Sequence, residues 1–174
     1  MTTLIEELVT ELADLPPLET LSPREEVTLL LERIVAKYGR DYVYTHVENA
    51  WASGPGCVYA RIDQHVERQD DGGVIETVVY EPSCILGHLL YVKDSSYLEK
   101  IVRMDNADTS GEHYNQWGWG PMASEGVGFM PDSWAEDTDL VSCLCNLQRQ
   151  QDEGMSWGEA LDSFKLDLAE CSPA

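Results

Sequence analysis

Cys84 is the residue whose position in the sequence best suits chemistry. It follows Pro82-Ser83 and opens an apolar segment, Cys84 to Tyr91, whose composition predicts a short buried helix. A thiol at a helix N-terminus ionises more readily, because backbone N–H groups and the helix dipole stabilise the thiolate. His88 lies four residues further along, on the same helical face. Cys84 and His88 are therefore candidate catalytic residues of a Cys–His hydrolase or transferase.

The same residues also have a structural interpretation. A base one turn along the same helix is poorly placed to activate the nucleophile, and the usual pair takes its histidine from elsewhere in the chain. His46, His65 or His113 would then have to supply it. Free cysteine is among the most buried residue types, and Gly87 suits close helix packing. The sequence therefore favours Cys84 as a small core residue over Cys84 as a nucleophile.

A metal centre is the second chemical possibility. Cys84 and His88, with Cys143 and Cys145 from a later helix, would supply four ligands of the type that zinc prefers. Cys143 and Cys145 are two positions apart on that helix, however, and so point in different directions. The chain has no C-x-x-C pair, and the helix start lacks the second cysteine and the H-x-E element of nucleobase deaminases. We therefore predict no metal ion and no other cofactor.

A glycine-rich stretch, residues 105–133, is the third candidate site. So long an irregular segment in a compact domain is typical of a functional loop or of disorder. Aromatic side chains beside carboxylates suit a Lys- or Arg-rich partner, because cation–π contact adds to charge attraction. The candidate binding residues are Asp108, Glu112, Tyr114, Trp117, Trp119 and Glu125. The alternative is that Trp117, Trp119 and Trp134 fold back to cover the core.

Charge is the most distinctive bulk property of the chain. It has 32 acidic and 11 basic residues, a formal net charge of -21, and no Lys or Arg between Met104 and Gln148. Such a surface repels nucleic-acid phosphates and speeds encounters with basic proteins at low salt. Solubility alone is the other explanation of the acidity. A nucleotide or other phosphate ligand would need local cations such as Arg61, Lys100 or Arg103.

The elements that would position these residues are mostly helices. A capping box at Ser22 and Glu25, with Pro23 at the first helical position, predicts a helix that Gly39 ends. A second capping box at Ser156 and Glu159 opens the last helix. The other predicted helices cover 3–14, 84–91, 96–104 and 136–153, the predicted strands cover 57–63 and 74–80, and residues 41–47 fit a strand or a helix extension.

These elements predict an α+β fold that is mainly helical, with about five or six helices packed around a small antiparallel β-hairpin. The length fits a single domain spanning 1–174, with the helix at 3–14 loosely attached. Five irregularly spaced cysteines do not predict a disulfide framework, and the N-terminus does not resemble a secretory signal. No apolar run reaches membrane-spanning length. A cytoplasmic protein without membrane contact is expected, and its oligomeric state is not predicted.

Two segments resemble parts of small uncharacterised proteins from phages that infect actinobacteria. They are EPSCILGHLL at residues 81–90 and LQRQQDEGMSWGEAL at residues 147–161. The resemblance leaves out the glycine-rich stretch. That family has no established activity, so the resemblance implies context only: a phage-encoded accessory protein made in the cytoplasm of an infected bacterium.

The signature motifs of several enzyme classes are absent from this sequence. The sequence has no Walker A motif, no G-x-G-x-x-G after a strand, no G-x-S-x-G and no H-E-x-x-H. We therefore predict a non-enzymatic accessory protein that binds and modulates a basic host or defence protein. Mimicry of an anionic nucleic-acid surface is one form of that activity. The alternatives are a Cys84 hydrolase or transferase, a minor virion component, and a small-molecule or nucleotide-signal binder.

Overall fold

The computed structural model describes residues 20–45, 58–68, 74–107 and 128–171 together with Glu7 and Thr10, with the backbone alone for 61–68, 74–80 and 102–107. The helices are α1 (Pro23–Tyr38), α2 (Ile85–Lys93), α3 (Ser96–Ala107), α4 (Asp132–Ala135), α5 (Thr138–Asp152) and α6 (Trp157–Cys171). The strands are β1 (Ala60–Arg68) and β2 (Val74–Pro82). Six helices within the described ranges confirm the mainly helical class.

The core that the described side chains form lies mainly between helices. α5 and α6 form the most extensive helix pair, and α1 packs against α2 and α6. β1 and β2 run antiparallel with Ala60 opposite Pro82, and β2 packs against α2 and α3. The predicted arrangement, with the helices packed around a hairpin, is therefore not supported. The largest completely buried side chains are Trp134, Trp157, Tyr59, Phe129 and Phe164.

Helix α1 begins and ends as its sequence predicts. The Ser22 hydroxyl accepts the Glu25 N–H, and the Glu25 carboxylate accepts the Ser22 N–H at 2.9 Å, which completes the capping box. Gly39 ends the helix at φ +98°, a conformation that glycine adopts without strain. Its predicted apolar face is buried apart from Tyr38, which is half-buried: Val27, Leu30, Leu31, Ile34 and Val35.

The α5–α6 pair also follows local signals. Gly154 turns the chain between the helices at φ +88°. The Ser156 hydroxyl donates to Glu159 Oε2 at 2.7 Å and accepts the Glu159 N–H at 3.3 Å, so the second capping box is confirmed. The prediction that two helices joined by so short a connection pack as neighbours is confirmed as well.

Residues 41–45 form neither of the elements predicted for them. Val43 makes a single antiparallel bridge with Ser156, and Tyr42 O accepts the Trp157 N–H at 2.8 Å. The segment therefore ties the end of α1 to the start of α6 without joining a sheet. Within the predicted helix 3–14, Glu7 and Thr10 are described and helical, and the other residues lie outside the described ranges.

Asp137 holds the start of α5 and ties it to α1. Its Oδ1 accepts the Leu140 N–H at 3.0 Å, and its two oxygens accept Arg24 Nε at 2.6 Å and Arg24 Nη2 at 2.9 Å. The Arg24 hydrogen bond is the largest cause that lowers the pKa of Asp137 below its ordinary value of 3.8, and partial burial opposes it. Stabilisation by this carboxylate is therefore present above about pH 4 and is lost as the pH falls through the depressed folded-state pKa.

Replacing Asp137 separates its two contributions. Asp137→Ala removes the cap and the ion pair and should lower the free energy of unfolding by about 1–2 kcal/mol at pH 7. Asp137→Asn keeps a capping oxygen, so its loss should be smaller. Urea unfolding at pH 7 and at lower pH measures both variants, and the Ala deficit should narrow below about pH 4. A deficit that does not change with pH would mean that the Asp137 charge contributes nothing.

Candidate functional site

Cys84 caps α2 with its thiol. Its backbone is extended, and its Sγ accepts the Gly87 N–H at 3.3 Å, which satisfies one of the free donors at the helix start. The helix begins at Ile85, so the prediction that Cys84 lies at its N-terminus is confirmed. The Cys84 side chain is completely buried in the core. In this conformation the sulfur is not accessible to a substrate.

His88 makes contacts that give it a structural role. Its Nδ1 lies 2.8 Å from Cys84 O, and its Nε2 lies 2.8 Å from Tyr38 Oη. Because a carbonyl oxygen only accepts, Nδ1 carries a proton, and in the neutral imidazole Nε2 accepts the Tyr38 O–H. A nucleophile–base pair needs an imidazole nitrogen directed at the thiol, and these two bonds use both nitrogens. The fold thus brings Cys84 and His88 together as buried neighbours.

Aromatic rings enclose the His88 imidazole. The Tyr38 ring centroid lies 4.7 Å from it and the Trp157 ring centroid 5.3 Å, both edge-on, and Tyr42 packs on Trp157 at 4.5 Å. Burial raises the pKa of Tyr38 to about 12. The phenol therefore stays protonated at neutral pH and keeps donating to His88. This cluster joins α1, α2 and α6 and explains the burial of the histidine.

Gln151 is a structural residue that the sequence analysis missed. It is completely buried on α5, and its Oε1 accepts the Ile85 N–H at 2.7 Å and the Trp157 Nε1–H at 3.2 Å. One amide oxygen thus satisfies the start of α2 and the indole of α6. Its spacing from Leu144 and Leu147 places it on the buried face of α5, which is the signal that could have identified it.

Glu26 is the second missed residue, a buried carboxylate on α1. Its Oε1 is ion-paired with Lys93, and its Oε2 accepts the Trp134 Nε1–H at 2.8 Å. The Lys93 ammonium also lies 5.9 Å from the centre of the Trp134 ring, within cation–π range. Glu26 precedes Leu30 and Ile34 by one and two turns, so its position on the buried face was readable from the sequence.

The candidate binding residues of the glycine-rich stretch lie outside the described residues. They are Asp108, Glu112, Tyr114, Trp117, Trp119 and Glu125. Both ends of the stretch predicted to be irregular are helical, since 105–107 belong to α3 and 132–133 to α4. Between them, the Gly128 carbonyl accepts Lys100 Nζ at 3.2 Å. Beyond Gly128, Phe129 and Trp134 are buried, so core covering is confirmed for Trp134. Partner binding by the six residues stays a prediction.

Most of the cations whose side chains are described are bound within the chain. Six of them form ion pairs, each with its own carboxylate partner or partners. Arg24 reaches Asp137 and Asp139, so part of the segment that lacks basic residues in sequence is neutralised from α1. The other pairs are Lys37–Glu7, Arg40–Asp162, Lys93–Glu26, Arg149–Glu153 and Lys165–Glu32.

Among the described residues, no group of three or more His, Cys, Asp or Glu side chains is arranged to hold a metal ion. Cys143 is buried and Cys145 half-buried, two positions apart on α5. None of the described helices combines the length and the apolar composition that crossing a membrane requires.

Comparisons with known proteins give no family for this chain. No protein-family model, no curated protein and no solved structure matches it.

Proposed function

We propose that this chain is a non-catalytic binding protein that engages a basic protein partner through its acidic surface. One observation carries the proposal: cations of this chain are already paired with carboxylates of the same chain. With a formal net charge of -21, the chain has few cations, and six of them already meet carboxylates of the same chain. The excess of carboxylates therefore acts on the surroundings, where it attracts positive surfaces.

The exposed carboxylates lie on several elements. Glu81 at the end of β2, Asp132 and Glu136 around α4, and Glu170 on α6 are all exposed. Opposite charges so distributed accelerate encounter with a basic protein, and close contacts then decide which partner stays bound. The sequence assigns those close contacts to Asp108, Glu112, Tyr114, Trp117, Trp119 and Glu125, and this assignment is part of the proposal.

The partner that we propose is a basic host or defence protein in a bacterial cytoplasm. The segments at 81–90 and 147–161 that resemble phage proteins support that setting. Competition with nucleic acid for the partner is one way in which an acidic protein would modulate it. The burial of Cys84 and the engagement of both His88 nitrogens support a non-catalytic role over hydrolysis or transfer.

Binding to a defined cationic peptide tests the acidic attraction. The full chain should bind a fluorescent Lys/Arg-rich peptide, and the affinity should fall at least about tenfold between 50 and 200 mM salt because screening weakens the attraction. A peptide of the same length with glutamine in place of the cations is the control. Fluorescence anisotropy gives both dissociation constants. Equal affinity for the two peptides, or no binding at 50 mM salt, would overturn the proposal.

Two triple variants locate the contact. The first, Asp108→Asn with Glu112→Gln and Glu125→Gln, neutralises the predicted contact carboxylates. The second, Glu81→Gln with Glu136→Gln and Glu170→Gln, removes the same charge from exposed positions elsewhere. We expect at least about tenfold weaker peptide binding for the first and less than about threefold for the second, since contact residues dominate binding energy. Equal losses would show that net charge alone acts and that the assigned contact residues are wrong.

A further inference from the structure

A regular series of contacts joins α5 to α6. Gln150 Nε2 donates to Ser163 Oγ at 2.7 Å, and Asn146 Nδ2 donates to Asp167 Oδ2 at 3.3 Å. From the first contact to the second, each helix advances by four residues, or about one turn, in opposite directions. The two hydrogen bonds therefore fix the antiparallel register of the helices.

The next step of this series brings two thiols together. Cys143 lies three residues before Asn146 on α5, and Cys171 lies four residues after Asp167 at the end of α6. The register of the two hydrogen bonds therefore places the Cys171 side chain beside Cys143. Burial, together with the charge and the hydrogen bond of the neighbouring Cys171 thiol, raises the pKa of Cys143 to about 12. The fold thus pairs two cysteines that are far apart in sequence.

The two sulfurs differ in access to solvent. Cys143 is 2% exposed, whereas Cys171 is exposed, and both are free thiols. An exposed thiol next to a buried one is the arrangement in which the first reacts with a reagent and the second resolves the product. We propose that Cys143 and Cys171 are a disulfide-forming pair, closed by exchange with a low-molecular-weight disulfide such as oxidised glutathione. This modification site is independent of the proposed partner binding.

The exchange proceeds in two balanced steps. The Cys171 thiolate attacks one sulfur of the small disulfide, which forms a mixed disulfide and expels one glutathione thiolate. Cys143 then gives up its proton to solvent and attacks the Cys171 sulfur, which expels the second glutathione. Two protein thiols are oxidised to one disulfide, and one small disulfide is reduced to two thiols. The high pKa of Cys143 makes it the second nucleophile in this sequence, since thiolate is the attacking form.

Closing the pair should stabilise the helix hairpin. Cys171 is the last residue of α6, where the chain can adjust to the Cα separation of about 4.4–6.8 Å that a disulfide requires. The bond would close a loop of roughly 30 residues and restrict the unfolded chain. For a domain of this size we expect the Tm to rise by about 5–10 °C on oxidation.

The full chain is oxidised in a glutathione redox buffer and then quenched with acid. Mass spectrometry of unreduced peptides identifies the linked cysteines. We expect a linked peptide pair containing Cys143 and Cys171, a loss of two hydrogens, and a higher Tm that a reductant reverses. Cys171→Ser, at an exposed position, should abolish the link and the Tm rise. Cys145→Ser, two residues from Cys143 on the same helix, is the matched control and should retain both.

Two outcomes would overturn the inference. In the first, Cys171 accumulates as a stable mixed disulfide with glutathione while Cys143 stays reduced. The buried thiol would then have failed to attack the mixed disulfide. The other is a link from Cys171 to Cys57, Cys84 or Cys145 in place of Cys143. Either result would show that the contact between α5 and α6 does not pair these sulfurs for reaction.

Discussion

Gly87→Ala should lower the free energy of unfolding by at least about 3 kcal/mol, which is the reverse of the usual effect of this substitution in a helix. A Cβ atom at Gly87 would lie 2.1 Å from Tyr59 O and 2.9 Å from Tyr59 C, far inside contact distance. Tyr59 O also accepts the Ser83 N–H at 2.9 Å, and the Tyr59 side chain is completely buried. Neither the carbonyl nor α2 can therefore move away without breaking other contacts.

The matched control is Gly154→Ala in the turn between α5 and α6. Gly154 has a φ of +88° with open space around its missing Cβ, so alanine there adds backbone strain without a clash. That strain should cost about 1–2 kcal/mol. Urea unfolding of both variants with equal m-values gives the comparison. If Gly87→Ala costs no more than Gly154→Ala, the close approach of α2 to Tyr59 is wrong.

Helix ends were the part of this fold that the sequence predicted best. The capping boxes at Ser22 and Ser156 and the stop at Gly39 depend on side chains within three or four residues of the backbone groups that they satisfy. Such interactions are complete within a short segment, so local pattern is sufficient to find them. The same holds for the neighbouring positions of α5 and α6, which a short connection imposes.

The same local patterns do not identify hydrogen-bond partners that lie far apart in the sequence. The pattern places Gln151 and Glu26 on buried helix faces. It does not reveal that Gln151 accepts the Ile85 N–H of α2 or that Glu26 accepts the indole N–H of Trp134. Polar residues on a buried face require such partners, because an unpaired buried group is costly. Both residues share the apolar stripe of their helix, which identifies them as buried polar residues but does not identify their partners.

The candidate site shows the same division. Cys84 at a helix start is a local feature, and it is confirmed, but its reactivity depends on what surrounds the sulfur. The residues around the sulfur come from distant segments. Tyr38 of α1 is hydrogen-bonded to His88, and the core encloses the Cys84 thiol. A short motif therefore predicts that Cys84 lies at a helix start, whereas the reactivity of its thiol depends on the tertiary structure.

The buried ion pair of Glu26 offers the second large effect. Lys93→Met should lower the free energy of unfolding by about 2–4 kcal/mol, because it leaves a buried carboxylate with the Trp134 N–H but without its cation. Methionine keeps most of the side-chain volume and suits a helix, so packing and propensity change little. Lys165→Met is the control: its partner is Glu32, both side chains are more than 40% exposed, and the loss should stay within about 0.5 kcal/mol.

The double variant Glu26→Gln with Lys93→Met decides whether charge is the cause. A neutral amide oxygen at position 26 still accepts the Trp134 N–H, so removal of the unpaired charge should recover at least half of the stability lost in Lys93→Met. Urea unfolding of the single and double variants forms a thermodynamic cycle for the pair. If the double variant is as unstable as Lys93→Met, the loss comes from the packing of the Lys93 side chain and not from a buried carboxylate. Recovery would instead establish that α1, α2 and α4 are held together by satisfying one buried charge.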